Sequence, residues 1–378
     1  MRILHTADWH VGKTLGGRSR AAEHEAVLDE ITLIARDRAV DLIVVAGDLF
    51  DTAAPSPESE RIVYQALLGL SGVAHTIVIP GNHDNERRLA AVAPLFAHTN
   101  VTAQPFLAPD CLQMSTADGT PLRIALLPWL SQRHVVKADQ LMSKDAFEHA
   151  GTYAERVKRI IASLAAGFSD DAVNLMVGHV TVAGAALGGG ERTAQTIFDY
   201  WVDPTVFPPE AHAVLLGHIH KAQAMPGPCP IRYCGSPLQL DFSDTQDTKS
   251  VLVVEAAPGK PAAIEAIDLH SGRELKTIEG TLDQLRTLPD MGDAYLRVRV
   301  RGSAHVGLGD EVRELFPNTI KVIVESERDE TVGGAARDEA ASPHDLFTTY
   351  LTEKDIQDDA LVALFDELYE EVDATGNA

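Results

Sequence analysis

Five short apolar runs in this chain each end in residues able to hold a metal ion. They close on Asp8, on Asp48, on Asn82-His83-Asp84, on His179 and on His218-x-His220. Carboxylate, imidazole and amide oxygen together suit hard-to-borderline divalent cations. Metal chemistry of this kind hydrolyses esters, because a cation both activates water and neutralises charge on the reacting group. Such chemistry needs ligands from distant parts of the chain to meet.

The elements around those residues supply a way to meet. An apolar run of about five residues bounded by Gly reads as a buried strand. Between the first three runs, residues 21–40 and 57–70 carry apolar side chains at helical spacing, among them Val27, Ile31, Ile34, Ile62, Val63 and Leu67. Strand, helix, strand, helix, strand is the βαβ pattern of a parallel sheet. Ligands of such sheets gather beyond the carboxyl ends of the strands. Residues 145–166 predict another helix, leading into the run that ends at His179. Residues 231–234, 250–256 and 262–269 read as strands joined only by turns, which predicts antiparallel pairing in a second sheet packed on the first. Near residue 270 a smaller unit begins: helix 281–288, strand 294–300, helix 309–316 and strand 320–325. Residues 331–341 read as a linker, and 342–352 and 358–372 as two acidic amphipathic helices.

A length of 378 residues predicts two or three domains. The three cysteines, Cys111, Cys229 and Cys234, form no CxxC pair and read as free thiols of a reducing cytosol. No apolar run is long enough to cross a bilayer and no secretory signal is evident, so a cytoplasmic protein without membrane contact is expected. The net charge of −23 opposes a nucleic-acid partner. Its distribution softens that objection: residues 301–378 hold 6 Lys/Arg against 19 Asp/Glu, leaving 26 against 36 for residues 1–300.

Taken singly, an Asp at a strand end is a helix cap and a His on an apolar strand is a core residue. Together, Asp8-x-His10, Gly47-Asp48-x-x-Asp51, Gly81-Asn82-His83-Asp84, Gly178-His179 and Gly217-His218-x-His220 resemble, in order and spacing, the calcineurin-like metallophosphoesterases. The resemblance covers roughly residues 1–270. It implies an α/β fold: a two-sheet β-sandwich core flanked by helices, here followed by a small α/β capping domain (271–330), the linker and the C-terminal helical segment (342–378). It implies two divalent ions sharing Asp48, and the mixed N/O ligation suits manganese first, or iron, ahead of zinc and magnesium. One would take Asp8, His10, Asp48 and His220, the other Asp48, Asn82, His179 and His218. His83 resembles the family's catalytic histidine, which protonates the leaving oxygen. Asp51 resembles the carboxylate that orients it, and Asp84 reads either in that role or as the cap of a helix over 86–97.

Local sequence narrows the family. Asp8-Trp9-His10-Val11-Gly12-Lys13, Gly47-Asp48-Leu49-Phe50-Asp51 and Tyr233-Cys234-Gly235-Ser236-Pro237-Leu238-Gln239-Leu240-Asp241-Phe242 resemble the bacterial SbcD nuclease-subunit family. That resemblance implies metal-dependent exonuclease action on duplex ends and endonuclease action on single strands and hairpins, in DNA repair, recombination and replication. It also implies a coiled-coil ABC ATPase partner, SbcC, and a homodimer within a heterotetramer. The chain has no GxxxxGK[ST] segment of its own. Lys13, Arg18, Arg20 and Lys221 read either as contacts to the DNA backbone or as solvated residues tied by ion pairs. Ser236 reads either as a phosphate donor or as part of a structural turn. Leu346, Phe347, Tyr350 and Leu351, with Leu361, Leu364, Phe365, Leu368 and Tyr369, give the tail an apolar load suited to docking on the partner. Two other functions remain open: a stand-alone phosphodiesterase or phosphatase for small molecules, and a non-catalytic scaffold.

Overall fold

A computed structural model describes residues 1–131, 146–188, 201–244 and 248–325, with Phe347, Thr348, Leu351, Leu361 and Phe365. The chain divides into two units, Met1–Glu325 and Ser326–Ala378. The predicted linker, and most of the two predicted tail helices, lie outside the described residues. Within the second unit the Phe347 and Phe365 rings stack at 4.1 Å and Leu351 is buried.

The first unit is built on two six-stranded sheets. Its opening segment alternates β1 (Arg2–Thr6), α1 (Ala21–Asp37), β2 (Leu42–Ala46), α2 (Pro57–Ser71), β3 (His75–Ile79), α3 (Glu86–Val92) and β4 (Val101–Ala103). Strands β1 to β4 lie side by side and parallel. Ser56 caps α2 by accepting from the Ser59 N–H, and Pro57 occupies the first helical turn, where its missing N–H costs nothing. The predicted helix over 86–97 ends at Val92 and continues as a 3-10 turn, Ala93–His98. Its Pro94 cannot supply an α-helical N–H.

The second sheet contains β5 (Leu112–Ser115), β6 (Pro121–Leu127), β7 (Val173–His179), β8 (Ala213–Gly217), β9 (Gln223–Met225) and β10 (Ile231–Tyr233), in the order β9-β10-β8-β7-β6-β5. Helix α4 (Ala146–Ala165) precedes β7. Strands β6, β7, β8 and β10 run parallel.

Side-chain alternation divides the core. Ile3, Leu42, Val44, Ile77, Ile124, Val177 and Leu215 fill the space between the sheets. Leu4, Ile43, Val45 and Val78 point the other way, onto α1 and α2 through Val27, Ile31, Val63 and Leu67. The outer face of the second sheet packs on Tyr153, Val157 and Ile161 of α4. Each parallel strand is therefore apolar on both faces, in keeping with its unbroken run.

One expectation is corrected. The sequence predicts that residues 250–256 and 262–269 build the second sheet with 231–234, but only β10 does so, pairing parallel with β8. Strands β11 (Ser250–Ala257) and β12 (Lys260–Asp268) return to the first sheet, antiparallel beside β1. Residues 250–254 of β11 are buried on both faces, which suits a strand between helices and the sandwich interior. Strand β12 carries exposed charge and forms the edge.

A separate three-stranded parallel sheet follows, of β13 (Leu275–Gly280), β14 (Tyr295–Arg301) and β15 (Thr319–Glu325), with β14 central. Helices α5 (Leu282–Leu285) and α6 (Leu308–Leu315) connect the strands and cover a core of Leu285, Leu296, Val298 and Val312. Strand β13 is not evident in the sequence, because exposed Lys276, Thr277 and Glu279 break its apolar run. Leu15 and Phe242 of the sandwich pack with Leu275, Tyr295 and Ile320 of this small sheet.

Candidate metal centre

The parallel strands β1, β2, β3, β7 and β8 all end at one rim, and their loops are tied together there. Asp8 N–H donates to the Gly47 carbonyl (2.9 Å), His10 N–H to the Asp48 carbonyl (3.0 Å) and Asp51 N–H to the Val11 carbonyl (3.1 Å). Among the described residues, five non-glycine residues have positive φ, and four of them are Asp8, His10, Asp48 and His218. Left-handed backbone is costly for such side chains and persists where surrounding contacts enforce it, most often at functional sites. Gly81 is required for contact: a Cβ there would overlap Asp48 Oδ1 and the His179 ring. Gly47, at φ +89°, combines both demands, since a Cβ would come within 2.5 Å of His179 Nδ1.

All seven predicted metal ligands meet at this rim. Ligand atoms of Asp8, His10, Asp48 and His220 lie within 4.8 Å of one another, and all four residues are buried. His10 Nε2 and His220 Nε2 face each other at 3.0 Å. Asp48 Oδ2 lies 3.5 Å from His10 Nε2 and 3.4 Å from His179 Nε2, so one carboxylate oxygen stands between two imidazoles of the predicted sets. Asn82 Oδ1 lies 3.0 Å from His179 Nε2 and 2.8 Å from His218 Nδ1.

The donor set fits divalent cations. His179 Nδ1 donates to the Ala46 carbonyl at 2.7 Å, which turns its Nε2 toward Asn82 Oδ1 and Asp48 Oδ2. Fixing one imidazole nitrogen on a carbonyl is how metal-binding histidines are commonly oriented. In neutral His179, that Nε2 would bring a lone pair against two oxygen acceptors, so a proton or a cation must sit among them. Asp8 Oδ1 accepts from the His218 N–H at 2.8 Å, while Asp8 Oδ2 and His218 Nε2 are buried and have no hydrogen-bond partner among the described residues. Buried polar atoms are seldom left so.

The electrostatics agree. Burial, the largest influence on His179, opposes its charge, but Asp48 and Asp8 outweigh it and raise its pKa to about 9. Burial raises Asp8 to about 7. Burial also disfavours the Asp48 carboxylate, yet His179, His10 and His83 hold it well below the usual range. Burial lowers His218 to about 3. The cluster thus retains a proton that a cation would displace.

His83 sits beside this cluster, its ring edge-on to His10 at 4.6 Å. Its main-chain N–H donates to Asp48 Oδ1 at 2.8 Å, and its Nδ1 donates to the main-chain carbonyl of Asp51 at 2.7 Å. The expectation that the Asp51 carboxylate orients His83 is therefore revised. That carboxylate faces His10 Nδ1 (3.5 Å) and Lys13 Nζ (3.3 Å) instead. Asp84 is neither the orienting group nor the cap of α3, which is Asn85. Half-buried Asp84 accepts the main-chain N–H groups of Gly81, Leu49 and Phe50, clamping the Asn82-His83 loop to the Asp48 loop.

The candidate DNA contacts divide. Lys13 lies near the centre and is partly exposed. Arg18 is exposed, donating to the Pro317 carbonyl at 3.4 Å, and Lys221 lies partly buried after His220. Arg20 is buried, forks onto Glu23 at 3.1 and 2.7 Å and donates to the Gln239 carbonyl, so it cannot meet a phosphate from that position. Ser236 is fully buried: its hydroxyl donates to the Leu238 carbonyl at 2.8 Å and accepts from Lys249 Nζ at 3.1 Å. The sequence offers both as possible DNA contacts, and tertiary packing gives both a structural role.

Trp129 has no counterpart among the sequence-predicted site residues. Its ring stacks on His218, with centroids 5.1 Å apart and planes 23° from parallel. It follows β6, whose apolar run also ends at the rim. The loop just after that strand carries an aromatic residue instead of a metal-binding one, so its pattern announces no ligand.

The model of the calcineurin-like phosphoesterase family matches residues 1–222. The SbcD subunit of nuclease SbcCD from Bacillus subtilis (strain 168) is 35% identical over 337 residues, covering 85% of each chain. The chain belongs to the calcineurin-like phosphoesterase family, in its SbcD branch. The corresponding SbcD subunits of Escherichia coli (strain K12) and Rhodobacter capsulatus are each 31% identical, over 302 and 380 residues. The matches cover 75% and 92% of this chain, and 72% and 92% of the relatives' own lengths. Likeness to SbcD proteins thus reaches beyond the phosphoesterase core into the small sheet. Among the described residues no helix is long and apolar enough to cross a membrane.

Proposed function

We propose that this chain is a dinuclear-metal DNA nuclease, acting on duplex ends as an exonuclease and on single strands and hairpins as an endonuclease. The carrying observation is the buried rim where Asp48 Oδ2 stands between His10 and His179, with Asp8, Asn82, His218 and His220 around it. Asp8, His10, Asp48 and His220 would hold one cation and Asp48, Asn82, His179 and His218 the other, with manganese preferred by this mixed donor set. Bound cations supply a nucleophile from water near neutral pH and neutralise charge on the phosphate oxygens.

The chain's own residues do the rest. The Asp51 carbonyl and the Asp48 carboxylate fix His83 from two sides, so its Nε2 is the nitrogen that carries a proton toward a leaving oxygen. Asp84 keeps the His83 loop and the Asp48 loop in register. Trp129 packs the His218 ring against lateral movement. The partner under this reading is an SbcC-type ABC ATPase, docked by residues 342–378, in a cytoplasmic heterotetramer with two copies of this chain. The acidic balance of the chain supports a need for a more basic partner on DNA.

The test is cleavage of end-labelled hairpin and blunt duplex DNA by the purified chain, with and without the ATPase, in manganese or chelator. Metal-dependent cutting that disappears in Asp48→Ala and His83→Ala is the expected result. Turnover of a small nucleotide phosphodiester, but never of DNA, would replace this reading with a small-molecule phosphodiesterase.

A further inference from the structure

Beside the histidine cluster, the rim carries a groove of about 520 Å³, a volume suited to a nucleotide-sized ligand. The groove begins where the metal centre ends. Trp129 belongs to both: it lines the groove, stacks on His218 and meets His179 edge-on at 6.1 Å. Its main-chain N–H donates to the Pro80 carbonyl at 3.2 Å, which ties it to the loop that carries Asn82 and His83.

The remaining lining has a consistent chemistry. Phe106 and Leu107, from the segment after β4, are 48% and 37% exposed, an unusual placement for two adjacent large apolar residues. Helix α4 adds Arg156 and Arg159, and Glu86 is the one acidic residue among the described lining. Two guanidinium groups against one carboxylate make the groove locally cationic within a chain of net charge −23. Flat apolar rings with guanidinium groups beside them suit a nucleobase and its backbone phosphate better than a lipid or an uncharged metabolite. Aromatic faces stack bases regardless of sequence, and arginine holds the phosphate that follows.

We propose that this groove seats one unpaired base of single-stranded DNA next to the scissile phosphodiester, stacked among Phe106 and Trp129, with its phosphate held by Arg156 and Arg159. The proposal rests on the DNA-cleavage reading above and adds to it the position of the neighbouring nucleotide. A base inside a duplex stays in its stack, so the groove favours strands already unpaired. Hairpin loops and frayed ends offer such bases.

The experiment uses the full chain in manganese and measures cleavage of an oligothymidylate, intact and with one abasic spacer walked along it. At one spacer position KM for the wild type rises about tenfold, within the range that base–aromatic stacking supplies. Phe106→Ala raises KM on the intact strand by about the same factor and makes that spacer position neutral. Phe106→Tyr keeps the wild-type pattern, which separates lost stacking from lost folding. Arg159→Glu raises KM and flattens its salt dependence. A spacer penalty of equal size in wild type and Phe106→Ala at every position overturns the proposal and leaves the nuclease reading intact. A wild-type chain that hydrolyses thymidine p-nitrophenyl phosphate but cuts no strand takes down both.

Discussion

His83 and Asp84 are sequence neighbours with different tasks. His83 touches the centre through its ring, while its main-chain N–H supports Asp48 whatever the side chain is. Substituting His83 by Gln therefore leaves the Asp48 hydrogen bond in place. We expect kcat to fall by about 10²- to 10⁴-fold, the usual contribution of a positioned general acid, while manganese content by elemental analysis stays at the wild-type level. Asp84 accepts three main-chain N–H groups, those of Leu49, Phe50 and Gly81. Asp84→Ala strands those donors at about 1–3 kcal/mol each before relaxation. The expected outcome is lower stability in urea together with weaker manganese binding, since two ligand loops lose their shared anchor. Unchanged metal affinity in Asp84→Ala would show that the loops hold their register without it.

Two elements carry histidines that the proposed chemistry does not use. His5 lies on the face of β1 directed between the sheets, flanked in register by Val44 and Leu252, with neither ring nitrogen hydrogen-bonded among the described residues. Burial lowers its pKa to about 3. Burial, with help from Arg20, lowers His24 of α1 to about 4. An exposed histidine titrates near 6.5. Below that pH the unfolded chain takes up protons that the folded chain refuses, so stability is complete above about 6.5 and falls as acid is added, toward pH 3 for His5 and pH 4 for His24. Each contributes about 1.4 kcal/mol per pH unit within its window. His5→Leu should flatten the pH dependence of the urea midpoint by about one proton's worth between pH 4 and 6. The other element-level prediction concerns the start of α1. Arg20 and Glu23 pair there, and Glu23 also accepts from the Arg273 N–H, while the Arg273 guanidinium lies 3.9 Å over the Tyr295 ring. Arg20→Ala leaves Glu23 facing the small sheet without its cation, a loss of about 3 kcal/mol. It should appear in the unfolding midpoint and not as a change in the salt dependence of DNA binding.

At the scale of the whole molecule, the candidate metal centre lies where the two sheets meet. Under the proposed reading, cations bound there would join β1, β2 and β3 of one sheet to β7 and β8 of the other, and only the folded chain presents the complete set. Manganese at about a thousand times its Kd should therefore add about 4 kcal/mol of stability, read as a rise in melting temperature that chelator reverses. Because His179 and Asp8 hold protons near neutral pH, uptake should release protons and weaken as pH falls. Calorimetry in buffers of different ionisation heat measures that release. The tail belongs to the same scale: deleting residues 340–378 should abolish co-purification with the ATPase while sparing manganese-dependent cleavage of small phosphodiesters.

What the sequence determined by itself was local: strand ends, helix periods and the order of Asp, Asn and His along them. The spacing of Asp8-x-His10 and His218-x-His220, each following an apolar strand, was enough to foresee one rim, because parallel strands bring their carboxyl ends together wherever the chain wanders between them. Orientation was decided only in three dimensions. Arg20 and Ser236 look like surface donors in sequence and are buried, one held by Glu23 and the Gln239 carbonyl beside the Tyr295 ring of β14, the other with Lys249 beside it. Strands β11 and β12 left the sheet their neighbours joined, since the free edge of β1 offered a site buried on both faces. Asp51 met His83 by its carbonyl, a group every residue has and no side-chain pattern can announce. Trp129 became part of the rim by stacking, which leaves no mark in spacing at all.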